Sequence, residues 1–261
     1  MVGTLLTGQA QAKTEVTQSV TPRAFLPFVA YQPCPTASSA TYDVIGIQGG
    51  YYKNNALTDE NADFRLSVLG YATTSAAMTL VDYFGPADPN APQMAGIFEP
   101  NRGPNIVGVF KRYDWNWNES GPPPYGSRGG VNNDWPVSVM NLAATIGEGI
   151  YIPERNVPNS TLGTVAMVLY ADDDEITLAY GDRDSVVNGY VVYLMNICTD
   201  PNLVARYQAQ LNNERRSTGQ LPAVRNNERI GTARYPFVTV AIRDVGPFLD
   251  PRSRKDWWQG Y

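Results

Sequence analysis

Tyr113-Asp114-Trp115-Asn116-Trp117 is the stretch whose residue types best suit a ligand surface. On a strand, side chains two apart share a face. Tyr113, Trp115 and Trp117 then form an aromatic strip, with Asp114 and Asn116 on the other side. Flat aromatic rows suit sugar rings, which stack through their C–H faces, while polar neighbours bind hydroxyls. The competing use of three rings is core packing. The polar residues between them, and the loop with Pro122-Pro123-Pro124 that follows, favour exposure.

A second candidate is Asp172-Asp173-Asp174-Glu175, which offers oxygen ligands of the kind Ca²⁺ prefers. Asp182, Asp184 and Asn188-Gly189 could contribute. The spacing is not that of an EF-hand loop, and the alternative reading is a solvated hairpin turn. Glu99, Asp114, Glu119, Asp134, Glu148, Glu154 and Asp182 all lie in or near expected turns. Two of them facing across a cleft at about 5 to 10 Å would suit glycoside hydrolysis, but nothing in the sequence selects a pair. Arg252-Ser253-Arg254-Lys255-Asp256-Trp257-Trp258 reads either as a basic-aromatic contact for a partner or as a strap whose tryptophans pack back on the molecule.

Other chemistry is excluded by what is missing. The chain has 261 residues and no histidine, which removes Ser-His-Asp triads, Cys-His dyads and imidazole zinc sites. None of its lysines, Lys13, Lys53, Lys111 and Lys255, sits in a Ser-x-x-Lys motif. No glycine pattern of the Walker or Rossmann type follows a strand, so no cofactor is expected. Cys34 and Cys198 cannot build a four-thiolate site; they either pair as one disulfide or stay apart, and sequence cannot place them near each other. Twenty basic against 25 acidic residues give a net charge of −5, which argues against a nucleic-acid partner. No apolar run approaches the roughly 18 residues a membrane span needs.

Val, Ile, Thr and Tyr with 23 Gly and 20 Pro favour many short strands joined by turns, an all-β fold. Ala10-Gln11-Ala12 has the small-x-small form of a signal peptidase site, so residues 1–12 read as the remnant of a secretory leader. Residues 13–41 read as a flexible linker or anchor, with Phe25 to Tyr31 as a first strand or anchor. Residues 42–134 read as a β-rich N-terminal domain, with strands at Arg65 to Tyr71, Met78 to Phe84 and Ile106 to Trp117. Residues 135–251 read as a second β domain and 252–261 as a tail. In the second domain Val165 to Tyr170, Glu175 to Tyr180, Gly189 to Ile197 and Phe237 to Ile242 read as strands. Asp200 to Asn212 reads as a helix capped by Asp200, with Pro201 in its first turn and Leu203, Tyr207 and Leu211 on its buried face.

Three stretches of that second domain share a pattern. Val137-Ser-Val-Met-Asn141-Leu-Ala-Ala144 precedes Gly147-Glu-Gly-Ile-Tyr-Ile152. Gly189 to Met195 forms a middle strand. Ile230-Gly231 precedes Phe237-Val-Thr239-Val-Ala-Ile242-Arg243, then Gly246 and Asp250-Pro251. In this respect residues 135–251 resemble the M23, lysostaphin-like zinc peptidases, secreted enzymes of compact antiparallel β-fold that cut peptidoglycan cross-links. The resemblance implies that Val137, Asn141, Met195, Phe237 and Thr239 stand where the family carries its histidines and its aspartate ligand. Val, Met and Phe offer no imidazole or carboxylate, and an amide oxygen and a hydroxyl are poor zinc ligands.

The expectation is therefore an exported protein, secreted or at the cell surface. It would be non-catalytic and would bind extracellular glycan or peptidoglycan through exposed aromatics on an M23-like fold without its metal. The alternatives are a metal-independent carbohydrate enzyme using a carboxylate pair and a structural surface or filament protein.

Overall fold

The computed structural model describes residues 31–48, 57–118 and 120–261. Ala10-Gln11-Ala12, residues 13–23, Phe25 to Ala30 and Glu119 lie outside the described residues.

The chain is built from antiparallel strands. β1 (Asp43–Gly46) is followed by a single helical turn, α1 (Leu66–Leu69), and by β2 (Tyr71–Thr73). A 3-10 turn at Met94–Ile97 leads to the long β3 (Ile106–Trp117), β4 (Gly126–Val131), β5 (Val139–Ala143) and β6 (Gly149–Tyr151). Then come β7 (Ala166–Ala171), β8 (Glu175–Ala179), β9 (Tyr190–Met195) and β10 (Ile197–Thr199). The helix α2 (Pro201–Gln208) precedes β11 (Leu211–Asn212), β12 (Arg215–Arg216), β13 (Gln220–Val224) and β14 (Arg229–Ala233). β15 (Phe237–Asp244), β16 (Phe248–Leu249) and the turn α3 (Arg254–Trp257) complete it. The main sheet runs β1-β13-β7-β8-β9-β15-β5-β3-β2, with β16 on β15 and β4 on β3, and β10-β14-β6 form a smaller sheet.

Every residue of β7, β8 and β9 is buried. Strands covered on both faces read as continuous apolar runs, as AMVLYA and YVVYLM do. α2 packs Tyr207 edge-on to Tyr170 of β7, ring centres 5.7 Å apart. The 57–70 segment is fastened across β8 and β9: Thr177 donates to the Phe64 carbonyl at 2.5 Å, and Tyr193 donates to that of Asp63 at 2.6 Å.

Strands on either side of the expected boundary at 134/135 are hydrogen-bonded in one sheet. β3 pairs with β5 through Phe110 and Val139, and β1 pairs with β13. An edge left open on one block is filled by a strand from the other, so the two blocks do not form separate sheets.

Two expected strands are corrected. Arg65 to Tyr71 makes a helical turn before β2: Leu66 and Leu69 stand three apart, which puts both on one face of a helix but on opposite faces of a strand, and both are buried. Gly70, at φ +75°, ends the turn. Met78 to Phe84 forms only an isolated bridge at Val81 to Ser253, and Phe84 is fully exposed. The α2 helix is shorter than expected; Asp200 caps it by accepting the Asn202 N–H at 2.9 Å, and Leu211 enters β11 instead.

The C-terminal tail is a strap. Trp257 and Trp258 are buried, and their indoles donate to the carbonyls of Asp250 and Pro251, each at 2.9 Å. Cys34 and Cys198 form a disulfide between residues 164 positions apart. Closing so long a loop removes unfolded-state entropy equivalent to about 5 kcal/mol at most. Cys34→Ser is expected to lower the unfolding free energy by up to about that amount. Chemical denaturation with and without reductant checks this; a wild-type curve unmoved by reduction would refute it.

Candidate functional site

Past Arg112, β3 leaves the body of the main sheet and carries the Tyr113–Trp117 stretch into a hairpin with β4. The ladder there carries a bulge on the β4 side: Tyr113 and Trp115 face Val131 and Arg128, so β4 spends an extra residue at Gly129-Gly130. Asp114, Trp115, Asn116 and Trp117 all contribute to the lining of one cavity of about 390 Å³, with the Asp114 and Asn116 side chains both beside Gly129. Tyr113 does not line it; its backbone N–H is spent on Gly70 at 3.0 Å. The Trp115 and Trp117 rings meet edge to face at 6.1 Å, and Trp117 remains 45% exposed. Trp115 packs partly on the core. A side chain at Gly126 would collide with its indole nitrogen. Arg128 ties the arm down, donating to the carbonyls of Val68 and Ser67 at 2.9 and 2.8 Å.

The opposite wall comes from residues the sequence did not single out as ligand-binding: Asp63, Arg112, Arg243 and Phe248. Both guanidinium groups lie over the Phe248 ring, at 5.0 and 4.8 Å from its centre. Arg112 pairs with Asp114 at 3.0 Å and Arg243 with Asp63 at 2.8 Å. Tyr193 stacks on Phe248, and burial pushes its phenol up to about 12, so it stays a donor. Two buried donors, Arg112 Nε and Trp115 Nε1, have no acceptor among the described residues. The result is an open groove lined by two indoles and two ion pairs.

The other candidate carboxylates do not gather. The exception is Asp134, which shares Arg112 with Asp114, at 3.8 Å, and Asn132 donates to both carboxylates; Glu99 and Asp182 are exposed, Glu148 pairs with Arg102 at 3.0 Å, and Glu154 accepts from Asn101. The acidic run is a tight turn neutralised by arginines. Asp172 accepts Arg65 at 2.7 Å and the N–H groups of Asp174 and Glu175, while Arg234 reaches Asp174 at 3.2 Å and Asp173 at 3.9 Å. Among the described residues no cluster of His, Cys, Asp or Glu is placed to hold a metal, so the Ca²⁺ reading of Asp172, Asp173 and Asp174 is set aside.

The five positions assigned to lost zinc ligands fall into two groups. Glu175, Met195, Thr239, Asn141 and Gly108 are successive register partners across β8, β9, β15, β5 and β3. Directly opposed residues share a face, so Met195, Thr239 and Asn141 stand side by side. Asn196 donates to Thr239 Oγ1 at 2.6 Å, and Thr239 donates to Asn141 Oδ1 at 2.7 Å. Phe237 lies one step along, opposite Ala143, and Val137 is fully buried before β5. Met195 brings a thioether to this row, while the Thr239 hydroxyl and the amides of Asn141 and Asn196 satisfy one another. Comparison of the chain with family models, with curated proteins and with solved structures returns no match.

At the end of that row Glu175 is 1% exposed and accepts Arg65 at 3.2 Å, the Ser67 hydroxyl at 2.6 Å and the Ser67 N–H at 3.1 Å. Breaking a buried pair from one side leaves an uncompensated charge. Arg65→Met is therefore expected to cost about 3–5 kcal/mol in denaturant unfolding, with Arg65→Met plus Glu175→Gln recovering part of it. Unchanged stability in the single variant would refute this. Burial pushes the Glu175 carboxyl above its ordinary value of 4.5, against the pull of Ser67 and Arg65. The folded state then holds the proton more tightly than the unfolded chain, so this group's contribution falls as pH rises through the window above 4.5. Glu175→Gln is expected to flatten that fall in stability, measured by urea unfolding from about pH 4 to about pH 7.

Proposed function

We propose that this is an exported, non-catalytic protein that binds an extracellular glycan, cell-wall peptidoglycan included, in the groove between the β3–β4 arm and Phe248. The observation that carries the reading is the convergence of Asp114, Trp115, Asn116 and Trp117 on one open cavity of about 390 Å³. Indole faces suit the C–H faces of sugar rings. The Asn116 amide and the Asp114 carboxylate in the same lining offer partners for sugar hydroxyls.

Two further observations support parts of this reading. A disulfide across 164 positions suits an oxidising compartment outside the cytosol. The row of Met195, Thr239 and Asn141 on adjacent strands is what an M23-like scaffold stripped of its metal ligands would present. The two carboxylates in the groove, Asp63 and Asp114, are each committed to an arginine, which favours binding over acid-base hydrolysis.

Sedimentation with insoluble polysaccharides and purified peptidoglycan tests the proposal, with released sugars and peptides assayed in the supernatant. Wild-type protein should co-sediment without releasing product. Trp117→Ala, at a half-exposed ring, should weaken retention by about tenfold while leaving the melting temperature unchanged. Retention unaffected by Trp117→Ala and by Trp115→Ala would sink the groove assignment. Soluble products would overturn the non-catalytic reading and direct attention to Asp63 and Asp114. Metal analysis of purified protein should find no stoichiometric zinc.

A further inference from the structure

A second cavity, of about 320 Å³, lies where the β9–β15 pair ends against α3 and the segment around Tyr83. It shares no lining residue with the β3 groove. Its walls include two edge-to-face ring pairs: Tyr83 with Trp135, centres 5.1 Å apart, and Tyr190 with Trp257 at 5.6 Å. At its rim Phe84 is 104% exposed, an apolar ring with nothing covering it.

Four aspartates also line it, and their partners divide them. Asp250 is paired with Arg252 at 2.7 Å, and Asp256 with Lys255 at 2.7 Å. Asp88 accepts the Tyr190 hydroxyl at 2.5 Å and the Asn90 N–H at 2.8 Å, but no cation forms an ion pair with it among the described residues. The Asp244 carboxylate makes no hydrogen bond and no ion pair among the described residues, although it stands opposite Tyr190 in the β9–β15 ladder. The Tyr190 hydrogen bond and the nearby Arg155 charge hold the Asp88 carboxyl below its ordinary range, so among the described residues Asp244 is the lining carboxylate left without a compensating donor or cation. Burial and the negative charges of Asp88 and Asp256 together raise the Asp244 carboxyl, as expected of an acid short of a counter-charge.

The surplus asks for a cation, and the walls say which kind. A hard metal ion needs several converging oxygens, and no such cluster is present among the described residues. Aromatic faces instead attract weakly hydrated cations with apolar substituents. A neutral sugar would use the rings but leave the charge unanswered. We propose that this cavity binds an organic ammonium group, its charge met by Asp244 and Asp88 and its alkyl shell by Phe84, Trp135 and Trp257.

Choline and 3,3-dimethyl-1-butanol, its neutral isostere, separate charge from shape. In calorimetric titration of the full chain, choline should bind saturably and the isostere at least tenfold more weakly. Asp244→Asn, nearly isosteric and at a half-buried site, should lose at least tenfold in choline affinity. Phe84→Ala, at a fully exposed ring, should weaken it severalfold with an unchanged melting temperature. Trp117→Ala, in the other groove, should leave it unaltered. Equal binding of the isostere, no saturable choline binding, or full retention in both Asp244→Asn and Phe84→Ala would overturn the proposal. So would Ca²⁺ binding at the same site more tightly than choline. Because Trp117→Ala reports on the glycan groove alone, failure of that reading leaves this one standing, and the reverse holds.

Discussion

Strands β7, β8 and β9 have no solvent-facing side, and the need to cover both faces governs how the rest of the chain is laid out. Covering segments must bury their own backbone polar groups, and each such group needs a partner. The 57–70 segment meets that demand with side chains of the sheet itself. Thr177 and Tyr193 rise from β8 and β9 to donate to the carbonyls of Phe64 and Asp63. Glu175 then holds Arg65 and Ser67, and Arg65 lies over the Tyr170 ring at 4.6 Å. A charge is buried because it docks a covering segment, and the arginine that balances it also caps the acidic turn through Asp172.

The β3 groove depends on this docking. Asp63 and Arg243, which make one wall, are positioned by the same Tyr193 that secures the covering segment. Arg128 of β4 grips Ser67 and Val68 on that segment, which fixes the arm bearing Trp115 and Trp117. The site is thus assembled from the edge of the sheet, a covering loop and the β15–β16 hairpin, with charge pairs holding the parts at their spacing.

What could be read from the sequence follows from how local each signal is. The strands of the core declare themselves as apolar runs, and the Asp200-Pro201 start of α2 is a matter of neighbouring residues. The ligand potential of Asp114 to Trp117 is also local, and the structure gathers those four residues. Their partners are not local. Asp63, Arg243 and Phe248 reach the groove only through pairings between distant strands, and nothing in an isolated Arg or Phe marks it. The bulge at Gly129-Gly130 was equally hidden, since its effect depends on which strand lies opposite. Leu66 and Val68 alternate as on a strand while Leu66 and Leu69 keep a helical spacing, and packing chose the helical one.

At the end of β15, Arg243 lines the β3 groove and Asp244 lines the acidic cavity; on β16, Phe248 and Leu249 divide in the same way. Neighbouring strand residues point to opposite faces, so this one hairpin is a party wall between two rooms. Its turn holds Val245 at φ +46° and Gly246 at φ +109°, a backbone course few sequences tolerate. A change in those few residues that moves the hairpin therefore reshapes both chambers at once.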